Sequence, residues 1–344
     1  MKQTLFFALL TTALGACGDG GTDDAQYKTG VVDGMHDSIA AELQTLVGAA
    51  TELQAAAPTG HGWDMSTDAA AIQAMLDAWK KARVAYEHVE GATAPIFANE
   101  DFTMDARYDD FMAALSPAGD QDLFDDRGAI GMHSIERILY ASTIRQEVKE
   151  FEATLPGYKA AAWPANATEA DEFKNKLCAR LITDSQQLHD EWTPANIDIG
   201  LAFQGLVGLM NEQREKVNLA ATGEEESRYS NITLFDLHNN LAGTMTIYNM
   251  FKPWILSKKG DQNEMIESGL SHLEDLYSAT AGDALPPVPT TWSSDAPSAT
   301  DLATPFGKMW DGVHIAVDPT TSGSIVFEMN EVADVLGFPE FKEQ

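Results

Sequence analysis

Basic residues are scarce in this chain of 344 residues, in which 22 lysines and arginines stand against 53 aspartates and glutamates. The formal net charge of −31 makes nucleic acid and anionic membrane surfaces poor partners, because both carry negative charge themselves. The negative charge favours a cationic ligand or partner. A simpler interpretation is that the acidic surface only keeps the protein soluble.

Cysteine is rarer still, since Cys17 and Cys178 are the only two in the sequence. Long apolar runs are also missing, apart from Thr4–Ala13, which is too short to span a bilayer as a helix. A short charged start followed by such a run is typical of a secretory signal, which we place at residues 1–16.

The tetrapeptide Leu14-Gly15-Ala16-Cys17 ends this apolar run. It resembles the lipobox of bacterial lipoproteins, in which cleavage precedes the cysteine and the cysteine becomes diacylated. We therefore expect lipidation at Cys17, a flexible tether over residues 17–26, and a protein of the cell envelope that faces the periplasm or the surface. With Cys17 modified, no intrachain disulfide can form, so the fold must depend on its core.

Helical periodicity recurs through most of the chain, whereas the period-2 alternation of strands is rare. The pattern favours an all-α fold of two packed helical-bundle halves, over residues 27–192 and 193–344. A short strand at Gly323–Phe327 is an alternative to helix there. Helices are predicted at about residues 31–57, 67–92, 108–115, 127–141, 168–192, 195–220, 231–257, 262–280, 301–315 and 323–336.

A G-x-H-x-x-E motif, which we call the HxxE motif, runs from Gly131 to Glu136. His133 and Glu136 are three residues apart, so a helix presents both side chains on one face. Helical bundles use this spacing to offer an imidazole and a carboxylate to one metal ion, although a solvated pair has the same spacing. The apolar residues next to the motif place His133 at the edge of a buried face.

A second helix, predicted at residues 67–92, carries polar residues on its apolar stripe. The stripe that leads to Trp79 continues through Arg83, Tyr86 and Glu90, and Glu87 flanks it. Buried carboxylates are costly unless they are paired or bound to a metal ion. Two carboxylates beside one arginine leave negative charge that suits a cation.

The segment Met104-Asp105-Ala106-Arg107 lies between these two helices and adds a further carboxylate. One imidazole and several carboxylates form a ligand set for iron, copper or zinc rather than calcium, which seldom binds imidazole.

Taken in order, these motifs resemble the imelysin-like family, and within it the EfeM/EfeO branch of periplasmic proteins associated with iron uptake. A second block of motifs continues the resemblance. It comprises Asn211-Glu212-Gln213, the run from Thr222 to Ser230, Leu234-x-Asp236 and Asn240-x-x-Gly243.

The resemblance implies an all-α fold with a metal site in the cleft between two halves. It also implies a membrane iron permease and a peroxidase-like periplasmic protein as partners. Carried over by position, the residues at the family's proposed ligand positions are Glu87, Glu90, Asp105, His133, Glu136 and Glu212. The resemblance also implies that Arg83, Tyr86 and Arg107 surround the ligands and support them without binding the metal directly.

The sequence favours a metal-binding lipoprotein for an iron-uptake system, with iron as the metal and copper or zinc as alternatives. The first competing hypothesis is an imelysin-type metallopeptidase. The chain has no H-E-x-x-H motif and no G-x-S-x-G motif, so the usual zinc and serine hydrolase patterns are missing. The second is a non-catalytic acidic surface module, in which the HxxE motif binds nothing.

Overall fold

The computed structural model describes residues 20–115, 118–193 and 195–342. The expected signal sequence, the lipobox and Cys17 lie outside these residues. Regular structure within the described ranges is helical throughout, which confirms the predicted all-α class. The helices are α1 Gly20–Ala56, α2 Met65–Glu87, α3 Glu90–Thr93, α4 Ala98–Asp105, α5 Tyr108–Leu115, α6 Gly131–Leu139, α7 Gln146–Glu152, α8 Ala167–Glu172, α9 Cys178–Trp192, α10 Ile199–Leu219, α11 Thr233–Lys258, α12 Gly260–Ser278, α13 Ala299–Leu302, α14 Pro305–Val317 and α15 Ile325–Leu336.

Helix α1 begins earlier than expected, so part of the expected tether over residues 17–26 is helical. Contacts to the end of α11 explain the longer helix. The Asp24 carboxylate lies 3.0 Å from the Lys258 ammonium and accepts a hydrogen bond of 3.1 Å from the Trp254 indole. A periodicity pattern cannot show such contacts, because the partner is more than two hundred residues away in the chain.

Helix α11 contacts helices from both the earlier and the later parts of the chain. It packs on α1, α2 and α3 and also on α10, α12 and α15. The expected boundary near residues 192–194 coincides with the connection between α9 and α10, and the division into two halves stays a prediction. None of the helices in the described part of the chain is both long and apolar enough to cross a bilayer.

The predicted helix over residues 67–92 is divided in two. Helix α2 is capped by the Asp64 carboxylate, which accepts a 2.7 Å hydrogen bond from the Ser66 backbone N–H. It ends at Glu87, and Glu90 starts the short helix α3. The interruption lets α11 approach closely, since a Cβ at Gly243 would lie 2.4 Å from the His88 carbonyl oxygen.

The strand considered at Gly323–Phe327 does not form. The Ser324 hydroxyl accepts a 3.2 Å hydrogen bond from the backbone N–H of Phe327 and caps α15, which begins at Ile325. The stretches 157–166 and 283–298 lie outside the predicted helices and contain no helix or strand, although α13 begins at Ala299 and not at residue 301.

Helix α6, which carries the HxxE motif, begins at Gly131 and not near residue 127 as expected. Gly131 has a φ of +80°, a conformation that residues with a side chain rarely adopt. A Cβ there would lie 2.6 Å from the carbonyl oxygens of Thr103 and Met104. The glycine therefore sets the start of α6 and lets it approach the end of α4, where Asp105 lies.

We expect Gly131→Ala to lower the free energy of unfolding by about 2 to 5 kcal/mol, because left-handed strain and backbone displacement add together. Gly60→Ala is the matched control. Gly60 has a φ of +87°, and a Cβ added there would meet nothing within 4 Å, so only strain of about 1 to 2 kcal/mol is expected. Urea unfolding followed by circular dichroism compares the two, and equal losses would contradict the close approach at Gly131.

Candidate metal centre

The guanidinium of Arg83 lies at the middle of a buried ionic cluster. It contacts the carboxylates of Glu87 and Asp105 directly, and it lies 3.4 Å from Glu226 and 3.6 Å from Asp236. Burial disfavours its charge, but the surrounding carboxylates, Asp105 first, raise the pKa of Arg83 above its ordinary value. One side chain thus joins α2 to α4, to the loop after α10 and to α11.

A second buried cation, Lys216, comes from α10. Its ammonium nitrogen lies 3.0 Å from Asn240 Oδ1, 3.2 Å from Glu226 Oε2 and 3.9 Å from Glu90 Oε2. Burial opposes its charge, but the carboxylates of Glu226 and Glu90 raise the pKa of Lys216. Burial also opposes ionisation of Glu226, yet Lys216 and the other nearby cations hold the pKa of that carboxyl well below its usual range.

The HxxE pair adopts a defined arrangement inside this cluster. His133 Nδ1 lies 2.8 Å from Glu136 Oε2, and both side chains are fully buried. The other oxygen, Glu136 Oε1, accepts hydrogen bonds from the Ser230 hydroxyl at 2.7 Å and from the backbone N–H groups of Ser230 and Tyr229 at 2.8 and 3.2 Å. Glu136 therefore orients the imidazole, as carboxylates commonly do for metal-binding histidines.

This orientation directs His133 Nε2 towards two other carboxylates. The distances are 3.5 Å to Asp105 Oδ1 and 3.7 Å to Glu226 Oε1, and the buried nitrogen has no hydrogen-bond partner. Ligand atoms of these three residues lie within 4.8 Å of one another. An imidazole and two carboxylates, with one nitrogen left without a partner, fit a transition-metal ion such as iron or zinc.

The protonation of His133 reflects the same neighbours. Burial and the charge of Arg83 oppose protonation, but the carboxylates of Glu136, Glu226 and Asp105 outweigh them and raise its pKa to about 9. A metal ion at Nε2 would take the place of a proton.

The predicted ligands fall into three groups. The structure brings Asp105 and His133 together, and Glu136 contacts the other imidazole nitrogen of His133. Glu87 and Glu90 accept hydrogen bonds from the Asn240 amide and are not among the described residues whose ligand atoms converge. The sixth residue, Glu212, is exposed and lines the outer part of a cavity.

This cavity has a volume of about 220 Å³ and borders the cluster through Asp105, Glu226 and Lys216. Arg107 also lines it and donates a 3.3 Å hydrogen bond to the carbonyl oxygen of Glu224. Of the three predicted supporting residues, Arg83 lies in the cluster and Arg107 lines the cavity. The hydroxyl of the third, Tyr86, donates a hydrogen bond to the carboxylate of Asp101, which lines the same cavity.

Sequence reasoning missed several members of the cluster. Glu226, Asp236 and Asn240 stand inside the second block of motifs but received no role, and Lys216 carried no signal at all. Glu226 belongs to a stretch without helical periodicity, so no face could be assigned to it. For Glu226, Asp236 and Asn240, the only signal in the sequence was their place in the second block of motifs.

Fold and site together define a class of all-α proteins whose helices bury an ionic cluster with one histidine. The chain belongs to the imelysin family, whose sequence model matches residues 35–299.

Relatives in two Staphylococcus aureus strains, MSSA476 and NCTC 8325 / PS 47, are named Efem/EfeO family lipoproteins. Each is 28% identical to this chain over 208 residues, which cover 59% of this chain and 59% of the relative. The match thus spans less than two thirds of these relatives.

Two solved structures share the fold. One, from Parabacteroides distasonis ATCC 8503, is described as a candidate iron-regulated protein A precursor. It has a TM-score of 0.59 and 13% identity and covers 90% of this chain and 95% of its own. The other is an imelysin-like protein from Psychrobacter arcticum 273-4, with a TM-score of 0.55 and 12% identity over 96% of this chain and 100% of its own.

We expect Arg83→Met to lower the free energy of unfolding by about 3 to 5 kcal/mol, because it leaves buried carboxylates without their counter-ion. Lys81→Met is the control on the same helix. Lys81 forms an exposed pair with Glu52, so its loss should change stability by less than about 1 kcal/mol. Chemical unfolding of both variants at pH 7 makes the comparison, and a similar small loss in each would show that Arg83 does not hold the cluster together.

Asp101 allows a test by pH. Burial, together with the charges of Glu90 and Asp105, raises its pKa to about 7, while the unfolded value is about 4. The folded state thus holds the proton more tightly, so this group's contribution to stability is lost as pH rises from about 4 through 7. We expect Asp101→Asn to flatten the decline in unfolding free energy over that range, whereas Asp275→Asn, an exposed change on α12, should leave the slope unaltered.

Proposed function

We propose that this protein is an envelope lipoprotein that binds a metal ion for an iron-uptake system. Iron is the metal we favour, and copper or zinc are the alternatives. The observation that carries the proposal is the buried His133 Nε2, which has no hydrogen-bond partner and faces the carboxylates of Asp105 and Glu226.

The charge of the cluster supports a cationic cargo. Its carboxylates outnumber the buried cations Arg83 and Lys216, so a bound metal ion would relieve uncompensated negative charge. Carboxylates suit hard ferrous or ferric ions, and an imidazole adds affinity for borderline metals. The carboxylates of the cluster are Glu87, Glu90, Asp105, Glu136, Glu226 and Asp236.

The names of the relatives support the setting. Proteins named Efem/EfeO family lipoproteins match this chain, and one structural neighbour is described as iron-regulated. We propose that Cys17 carries the lipid anchor and that the protein acts with a membrane iron permease and a peroxidase-like periplasmic protein. The net negative charge of the protein is compatible with a metal cation as cargo and with both of these protein partners.

The metallopeptidase hypothesis has no specific observation in its favour among the described residues. Glu136, the one carboxylate next to the histidine in the motif, has both oxygens occupied by hydrogen bonds and is not placed to activate a water molecule. Hydrolysis of a casein substrate by the metal-loaded protein would revive that hypothesis.

The test is calorimetric titration with Fe²⁺ under anaerobic conditions, and with Cu²⁺ and Zn²⁺. A soluble form that begins at Gly18 keeps all of α1. We expect one site in the wild type and a loss of affinity of at least about 100-fold in His133→Ala, because a direct ligand matters at least as much as its supporting residues.

His272→Ala is the matched control, because His272 is an exposed histidine on α12 and is not among the candidate ligands that converge in the described structure. It should bind like the wild type, and circular dichroism should show equal helicity in all three proteins. Binding that survives in His133→Ala, or no binding in the wild type, would contradict the proposed site and favour the acidic surface module.

A further inference from the structure

Lys216 and His133 approach the same carboxylate from opposite sides. Glu226 Oε2 lies 3.2 Å from the Lys216 ammonium, and Glu226 Oε1 lies 3.7 Å from His133 Nε2. We propose that Lys216 is an internal cation that competes with the metal ion for Glu226 and keeps the affinity of the site low enough for release. This inference rests on the proposed function.

Arg83 is not suited to this competing role. Its guanidinium contacts four carboxylates on separate segments, and its planar, permanently charged group is held by all of them at once. Displacement of Arg83 would disrupt the packing of α2 against α4 and α11. It is therefore a fixed counter-ion of the folded protein.

Lys216 differs in both chemistry and surroundings. A lysine carries a compact charge on a flexible stem, so it can exchange one carboxylate for another by rotation of its side chain. A second carboxylate, Glu90, lies 3.9 Å from its ammonium, and the exposed Glu212 and Glu215 line the same cavity of about 220 Å³. The ammonium can therefore move away from Glu226 and still remain close to a carboxylate.

The electrostatic consequence concerns affinity. A metal ion at Glu226 Oε1 would lie close to a positive charge on the other oxygen of the same carboxylate. Repulsion between like charges at this distance is strong inside a protein and is only weakly screened by salt. Removal of the Lys216 charge should therefore strengthen metal binding, even though it weakens the metal-free fold.

The experiment compares Fe²⁺ and Zn²⁺ binding by the full-length lipoprotein in detergent with binding by Lys216→Met. We expect the variant to bind at least about tenfold more tightly, which corresponds to about 1.4 kcal/mol, and to release the metal more slowly. In the absence of metal, its urea midpoint should be lower than that of the wild type, because Glu226 and Glu90 have lost a counter-ion.

Three further variants make the comparison specific. Lys216→Gln removes the charge but keeps hydrogen-bonding groups, so it should also tighten binding and serves if Lys216→Met does not fold. Lys216→Arg keeps the charge and should not tighten binding. Lys81→Met removes an exposed lysine from α2 and should leave affinity unchanged.

The outcomes separate this inference from the proposed function. If the wild type binds and His133→Ala does not, but both neutral Lys216 variants bind equally or more weakly, then Lys216 is only structural and the competition idea is overturned. If neither the wild type nor the neutral variants bind metal, the proposed function fails and the inference fails with it. Binding that emerges only in the neutral variants would overturn the inference as stated, because the wild type would then have no bound metal to release.

Discussion

The burial of the Arg83 guanidinium constrains the whole centre of this protein. Taking an arginine side chain out of water costs several kcal/mol, and only close carboxylates can offset that cost. Here they come from three other segments, through Asp105, Glu226 and Asp236. The helices α2, α4 and α11 must therefore meet at one point, and the loop after α10 must reach into it. The candidate site lies beside this point.

The loop between α10 and α11 is held against earlier parts of the chain by a series of polar contacts. Successive residues of the loop reach different partners, since Glu225 pairs with Arg145 and Arg228 lies 3.0 Å from Asp109. The hydroxyl of Tyr229 donates a 2.6 Å hydrogen bond to Glu152, a residue also paired with Arg137. Anchored in this way, the loop presents its backbone N–H groups to Glu136 and holds the histidine in place. The orientation of His133 thus depends on residues nearly a hundred positions away.

A buried cluster of this composition is a poor way to gain stability. Well-packed apolar residues of the same volume would serve the fold equally well or better. Proteins commonly depart from good packing and complete hydrogen bonding at functional sites. The excess of buried carboxylates around one imidazole nitrogen without a hydrogen-bond partner is a departure of this kind. The two cations have different roles, because Arg83 stabilises the arrangement while Lys216 lies beside the cavity and the exposed rim carboxylates.

The amino-acid pattern by itself determined the helical class and most helix positions, and the order of its motifs pointed to Asp105 and His133 as candidate ligands. These depend on local periodicity and on motif spacing, which a single chain displays directly. Only the tertiary structure decided that Glu226 joins the group, that Glu136 orients the imidazole, and that the Lys216 ammonium lies 3.2 Å from Glu226. The reason is physical, because each of these roles arises from distances between segments far apart in the chain, and hydrophobic periodicity carries no information about which polar groups meet once the helices pack.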